Sequence, residues 1–308
     1  MTQIEAPPPS GRQHDITYGA QRATIVEVGG GIRSYTVDGR DVLQPYDRDA
    51  MCDGAHGAPL IPWPNRLGDG TYSFDGTEHQ VGLTEPTKHN AIHGFLRWRS
   101  WQASEHTDDR VVMSTRLHPL KGYPFCLQVQ VVYALSEDGL SVVTTATNVG
   151  PTACPYGHGQ HPYLSPGTGK VDECTLQLDA GTRITTDPQR QLPTGTEPVP
   201  GSKYDFATAR QVGDLEMDYA FTDLARDEDG RAWVRLTGTD GATAAIWVDG
   251  SYPIVEIYTA DTLEPARRRR GLGTEPMTCP PNALATGDGV VRLESGQAHT
   301  TTWGARLS

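Results

Sequence analysis

The sequence predicts an all-β protein, one large antiparallel β-sandwich over residues 16–308 behind a polar N-terminal tail over 1–15. Short segments alternate apolar and polar residues with period two, and hairpin signals such as Asp-Gly and Gly-Gly separate them. No window of about twelve residues carries the 3.6-residue period of a helix. The 34 glycines and 23 prolines are spread along the whole chain and would break any longer helix.

The elements follow in order. The tail, MTQIEAPPPSGRQHD, is Pro-rich and polar and is expected to be mobile. "ATIVEVGGGIRSYTVDGRDVL" reads as strands joined at Gly-Gly and Asp-Gly, "TYSFDGTEHQV" as a hairpin, and "RVVMSTRL" as a further strand. In "LQVQVVYALSEDGLSVVTTATN" the alternation runs on both sides of Asp138-Gly139, which predicts two antiparallel strands that each show one face to a core. "CTLQLDAGTRITT", "AWVRLTGTDGATAAIWV", "PIVEIYTA" and "GVVRLESGQAHTTTW" complete the set. The chain shows no fixed repeat on the scale of a propeller blade, and no linker interrupts the pattern after the tail.

A net charge of -12 and a pI near 5.2 would repel phosphate backbones and anionic lipid, so neither nucleic acid nor a membrane surface is an expected partner. The N-terminus lacks a basic start followed by an apolar run, and no apolar stretch approaches membrane-spanning length, which points to a cytoplasmic protein. The five cysteines (Cys52, Cys126, Cys154, Cys174, Cys279) are scattered, odd in number and free of C-x-x-C pairs. That spacing argues for reduced thiols rather than a disulfide framework or a zinc site. Cys279, four residues from Glu275, is a nucleophile only if a basic partner lies near it.

Four stretches interrupt the β texture with chemistry that turns rarely need. In "PLIPWPNRLGDGTYSFDG", Asn65 and Arg66 follow two prolines that limit the backbone, which suits a guanidinium fork aimed at hydroxyls or a carboxylate, although a surface ion pair would explain Arg66 equally well. "KHNAIHGFLRWRSW" carries His89 and His93 ahead of Phe95, Trp98 and Trp101, where His93 is either a functional group or a satisfied polar group over an aromatic core. "YGHGQHPYLSPG" carries His158 and His161, which on an extended strand point to opposite faces, so one can face a site while the other does not. Neither histidine pair has an acid or cysteine at ligand spacing, so no metal is expected. The fourth stretch, "GLGTEPMTCPPNAL", holds Glu275 as its one charged residue, and "EMDYAF" adds Asp218 beside Glu216. Together these supply carboxylates, imidazoles and an Arg fork, the equipment for acid/base work on a polyhydroxylated ligand.

In this order the segments resemble the aldose 1-epimerase (galactose mutarotase) family, from about residue 20 to the C-terminus. "NRLGDGTYSFDG", "NAIHGFLRWRSW", "HPYL", "MDYAF", "VEIYTADTL" and "TEPMTCPPNAL" carry the likeness. The resemblance implies the galactose mutarotase-like supersandwich, no metal and no organic cofactor. It also implies Glu275 as general base, His161 as general acid, and His93, Arg66 and Asp218 as sugar-binding groups, with Asn65 beside them. The expected reaction is exchange of the α and β anomers of a hexose such as glucose or galactose. Glu275 would stand in a loop stiffened by Pro276, Pro280 and Pro281, with His161 on the other side of a bound pyranose. This chain departs from the family at Gly94-Phe95, Ser165-Pro166 and Pro276-Met277, around the sugar rim.

Two other functions fit the same residues. A hexose-6-phosphate 1-epimerase would use the basic run Arg267, Arg268, Arg269 and Arg270 to hold phosphate, a run that a solvated charge cluster explains as well. A non-catalytic carbohydrate-binding protein would need no Glu275 opposite His161. The expected partner is a small-molecule sugar, bound by a monomer or homodimer.

Overall fold

Period-two alternation becomes two large antiparallel sheets in the computed structural model, which describes residues 7–165, 167 and 169–308. One sheet has nine strands, and its spine is the hairpin Leu127–Ser136 and Gly139–Asn148, paired from Ser136 opposite Gly139 to Leu127 opposite Asn148. Val129, Val131, Tyr133 and Val142 point inward with no solvent exposure, while Gln128 and Gln130 face outward, as the alternation requires. The other sheet has twelve strands. Its central neighbours are, in order, Arg40–Leu43, Tyr163–Leu164, Leu272–Met277, Ile254–Tyr258, Asp218–Leu224 and Ala180–Thr186.

The two sheets enclose one apolar core in which Trp303, Tyr133 and Tyr35 are fully buried. Their polar tips are satisfied across the layers. The Tyr133 hydroxyl donates to the Gly30 carbonyl at 2.7 Å, and the Trp303 indole N–H to Gln160 Oε1 at 3.1 Å. Among the described residues the α-helix is limited to the single turn Ala283–Thr286, so the all-β reading holds, and no helix is long and apolar enough to cross a membrane.

Two expectations change. Residues 1–6 of the expected tail lie outside the described residues, but its end is built into the fold. Ser10 is buried and its hydroxyl donates to the Arg48 carbonyl, and the first strand, Gln13–Tyr18, starts before residue 16 and pairs with Gln21–Val26. The gain is burial of Ile16, which is wholly covered. The second change concerns Glu275, which stands on the strand Leu272–Met277 in the middle of the larger sheet rather than in a loop.

Candidate active site

A strand containing "GLGTEPM" looks implausible from composition, because glycine and proline both weaken a ladder. Each has a local reason here. A side chain at Gly273 would meet Tyr258 on the neighbouring strand at 3.0 Å. Pro276 faces Val255 on one side. On the other side the partner strand is broken: Gly159 pairs with Met277, then pairing resumes only at Tyr163 opposite Gly273. The break between them holds His161 and Pro162, and the Thr274 N–H donates to the Pro162 carbonyl. Pairing keeps one register on both sides of the break, so His161 falls opposite Glu275, with His161 Nε2 at 3.0 Å from Glu275 Oε1.

A second corner brings Asn65, Arg66 and His93 to the same cavity. Arg66–Gly68 and Asn90–Ile92 form a short two-stranded ladder, and Asn65 and His93 close its end, both in left-handed conformation at φ 53° and 63°. Such conformations are uncommon outside glycine and persist where surrounding bonds fix them. The His93 N–H donates to the Asn65 carbonyl at 3.0 Å, and the Asn65 N–H donates to His93 Nδ1 at 3.1 Å. Gly94 follows at φ 62°, and any side chain there would strike the Ile61 carbonyl at 2.0 Å. Arg66 makes a fork with Glu85 at 3.0 and 3.3 Å, and its other arm lies 3.6 Å from Asp218. These side chains line a monosaccharide-sized cavity of about 180 Å³ with Tyr163 and Arg97. A larger groove of about 1270 Å³ runs over the first strands, but its Asp15, Arg22 and Glu27 are occupied with partners of their own and it lacks the facing acid and imidazole.

The electrostatics of the pair follow from burial. Desolvation pushes the Glu275 carboxyl well above its ordinary range, the Asp218 charge adds to the rise, and Arg66 opposes it. Burial lowers His161 to about 3. Both shifts favour the neutral forms, a protonated carboxyl beside a neutral imidazole. His161 stacks on Tyr163 with ring centroids 4.9 Å apart, which fixes its plane.

The ligand-capable atoms of His93, His161 and Glu275 lie within 4.8 Å of one another, a cluster that the spacing of the histidines in sequence did not reveal. Its chemistry is a poor match for a metal. His93 Nδ1 accepts the Asn65 N–H, so in the neutral ring Nε2 carries the hydrogen and points a donor, not a lone pair, at the cavity. A donor there suits a hydroxyl.

The other sequence candidates separate cleanly. His158 is wholly buried and does not line the cavity, and burial lowers it to about 3. His89 is exposed and contacts Asp69. Cys279 is buried with its thiol pushed up to about 12, so it is no nucleophile. In the basic run, Arg267 pairs with Asp53, and Arg269 is buried against Asp172 and Asp261. Glu85, Lys88, Arg97, Gln191 and Tyr163 also line the cavity, and sequence reading singled out none of them.

These buried groups set a testable stability profile. His56, His93, His158 and His161 are all buried, and desolvation lowers each from 6.5. The unfolded chain protonates them first, so each withdraws about 1.4 kcal/mol of stability per pH unit below 6.5 until its folded value is reached. Glu256 and Glu275 act oppositely. Their raised values mean that the folded state keeps protons the unfolded chain has released above 4.5, so their contribution is lost as pH rises. Four imidazoles outweigh two carboxyls below 6.5, and only the carboxyls act above it. Scanning calorimetry from pH 5 to 8.5 is expected to show Tm highest near pH 6.5 to 7; a Tm still climbing at the alkaline end would contradict neutral carboxyls.

Comparison with known proteins bears on the family and the fold. The sequence profile of the family described as aldose 1-epimerase matches residues 13–305. The chain belongs to the aldose 1-epimerase family. The uncharacterized protein YihR of Escherichia coli K12 is 36% identical over 291 residues, covering 94% of this chain and 91% of YihR. An aldose epimerase homologue from C. elegans superposes with a TM-score of 0.84 at 20% identity, over 96% of this chain and 98% of that one. Galactose 1-epimerase from Lactobacillus acidophilus superposes with a TM-score of 0.80 at 16% identity, over 96% and 98%. At such identities the likeness speaks for the galactose mutarotase-like fold, while the profile carries the family membership.

Proposed function

We propose that this aldose 1-epimerase family member exchanges the α and β anomers of a hexose, with Glu275 and His161 as the acid/base pair. The observation that carries the reading is their 3.0 Å contact at the floor of a buried cavity. In a pyranose the anomeric hydroxyl and the ring oxygen are bonded to the same carbon, so the groups that serve them must stand side by side.

The proton count closes. Moving the shared proton to the imidazole gives a carboxylate and an imidazolium. Glu275 takes the proton of the anomeric hydroxyl while the bond from C1 to the ring oxygen breaks, and His161 gives its proton to that oxygen. This leaves an aldehyde, a neutral imidazole and a protonated carboxyl, which is the arrangement burial favours. Rotation about C1–C2 and the reverse transfers close the ring on the other face. Each positioned group contributes about 10²–10⁴-fold. Arg66, Asp218, Asn65 and the His93 Nε2–H would hold the hydroxyls.

A hexose bearing an anionic group has one observation in its favour. Arg97 lines the cavity, is buried against the Trp98 ring at 4.0 Å, and has no carboxylate partner among the described residues. The basic run, by contrast, spends Arg267 and Arg269 on internal ion pairs. Polarimetric relaxation of freshly dissolved α-glucose, α-galactose and α-glucose 6-phosphate tests both readings. Acceleration of the neutral sugars supports the first, preference for the phosphate ester supports the second, and saturable binding without acceleration makes the protein a sugar-binding one.

A further inference from the structure

Glu256 takes no part in the chemistry above, yet it is 2% exposed and lies directly opposite Glu275 on the antiparallel ladder between Ile254–Tyr258 and Leu272–Met277. Directly opposed residues hold their Cβ atoms about 4.5–5.5 Å apart on one face of the sheet, and like charges there repel. On the other side, Ala220 faces Glu256 and Asp218 faces Tyr258, which makes Asp218 its diagonal neighbour on the same face. Three carboxyl groups therefore share one patch beneath the cavity.

The cations around them are few. Arg66 is the charged group that reaches the patch, and its fork is engaged by Glu85 with its remaining arm toward Asp218. Asp218 also receives the Gln191 amide. His161 touches Glu275 alone of the three. Tyr258, the remaining titratable neighbour on the strand, turns its hydroxyl to Thr262. Glu256 is left with no basic side chain of its own, and its Oε2 has no partner among the described residues. Three negative charges in so dry a volume cannot coexist.

We propose that Glu256 is a positioning residue: a buried neutral carboxylic acid that donates an O–H hydrogen bond to the Asp218 carboxylate from beneath, fixing the group that meets the sugar and leaving Glu275 the one member of the facing glutamate pair that ionises in turnover. Burial and the nearby Asp218 and Glu275 charges all push its proton affinity up, which agrees with this arrangement. The inference rests on the acid/base reading of Glu275 for its kinetic consequence, but its protonation state can be read without any sugar.

The experiment pairs infrared spectroscopy at neutral pH with kinetics of Glu256→Gln and Glu256→Met. The wild-type protein is expected to show a carboxylic-acid carbonyl band of which one component vanishes in Glu256→Gln and survives in Glu275→Gln. Gln keeps a donor and is neutral, so its KM stays within about threefold of wild type; Met keeps the length without the donor, and KM rises about tenfold or more while kcat changes less. If Glu256→Gln removes no such component, Glu256 is ionised and the proposal fails, whether or not the Met variant folds. If Gln and Met raise KM equally, Glu256 is packing only and the proposal also fails. Should wild type accelerate no sugar, the functional reading falls, and the infrared arm still decides the state of Glu256.

Discussion

Replacing Glu275 by Gln is expected to lower the rate of anomer exchange by about 10²–10⁴-fold, and His161→Asn by a similar factor, with the fold intact in both. Gln fills the volume of the carboxyl in a position that is 2% exposed, so packing is preserved while the proton acceptor is lost. Asn cannot take the place of an imidazolium as donor to the ring oxygen. Because the two groups act on one proton count, the double variant should be little worse than the poorer single one. Polarimetry at matched, circular-dichroism-checked protein concentrations reads all three. A Glu275→Gln enzyme within tenfold of wild type would remove Glu275 from the chemistry.

The second large effect is expected at Arg66. Its guanidinium has a side-chain exposure of 10% and compensates Glu85 and Asp218 at once. Removing one partner of a buried ion pair costs about 3–5 kcal/mol because the other charge is left uncompensated. Here the lower end applies to Arg66→Leu. Glu85 keeps Lys88 at 3.3 Å and the Asn90 amide at 3.1 Å, and Asp218 keeps the Gln191 amide. Urea unfolding should show a loss of about 3 kcal/mol, and KM should rise more than kcat falls, since in the proposed function Arg66 holds the substrate and does not handle the transferred proton. Arg66→Lys should recover part of the stability and little of the KM, because an ammonium cannot reproduce the fork. An Arg66→Leu protein as stable as wild type would show that the three groups are not coupled.

Where alternation was clean the sequence foretold the structure, and where both faces of a strand are covered it did not. The hairpin around Asp138-Gly139 has one face in the core and one in solvent, so its period of two is visible, and the register follows from it. Leu272–Met277 is buried at all six positions, so no alternation marks it. Its glycine and proline serve the neighbouring strand and the break at His161, neither of which composition can show. Ile254–Tyr258 hides Glu256 the same way: Val255 and Ile257 fill the core, and on the outward face, normally wet, Ile254 and Glu256 are covered too, with Tyr258 reaching the cavity.

The candidate residues were legible as a set of chemical types and as a resemblance, and the order of segments carried Asn65, Arg66, His93, His161, Asp218 and Glu275 to one cavity. Glu85, Arg97 and Gln191 were not, because each looks like an ordinary surface charge or amide until long-range folding brings it to Arg66 or to the cavity wall. The tautomer of His93 was equally invisible, since it depends on a backbone N–H 28 residues away.

A crystal structure of the protein with a slowly turned-over hexose bound tests the central claim most directly. The expected result is a pyranose whose anomeric oxygen lies within hydrogen-bond distance of Glu275 and whose ring oxygen lies within that distance of His161 Nε2, the two side chains having parted to admit it. A sugar seated in the cavity with C1 turned toward solvent, and the contact between His161 and Glu275 unbroken, would contradict it.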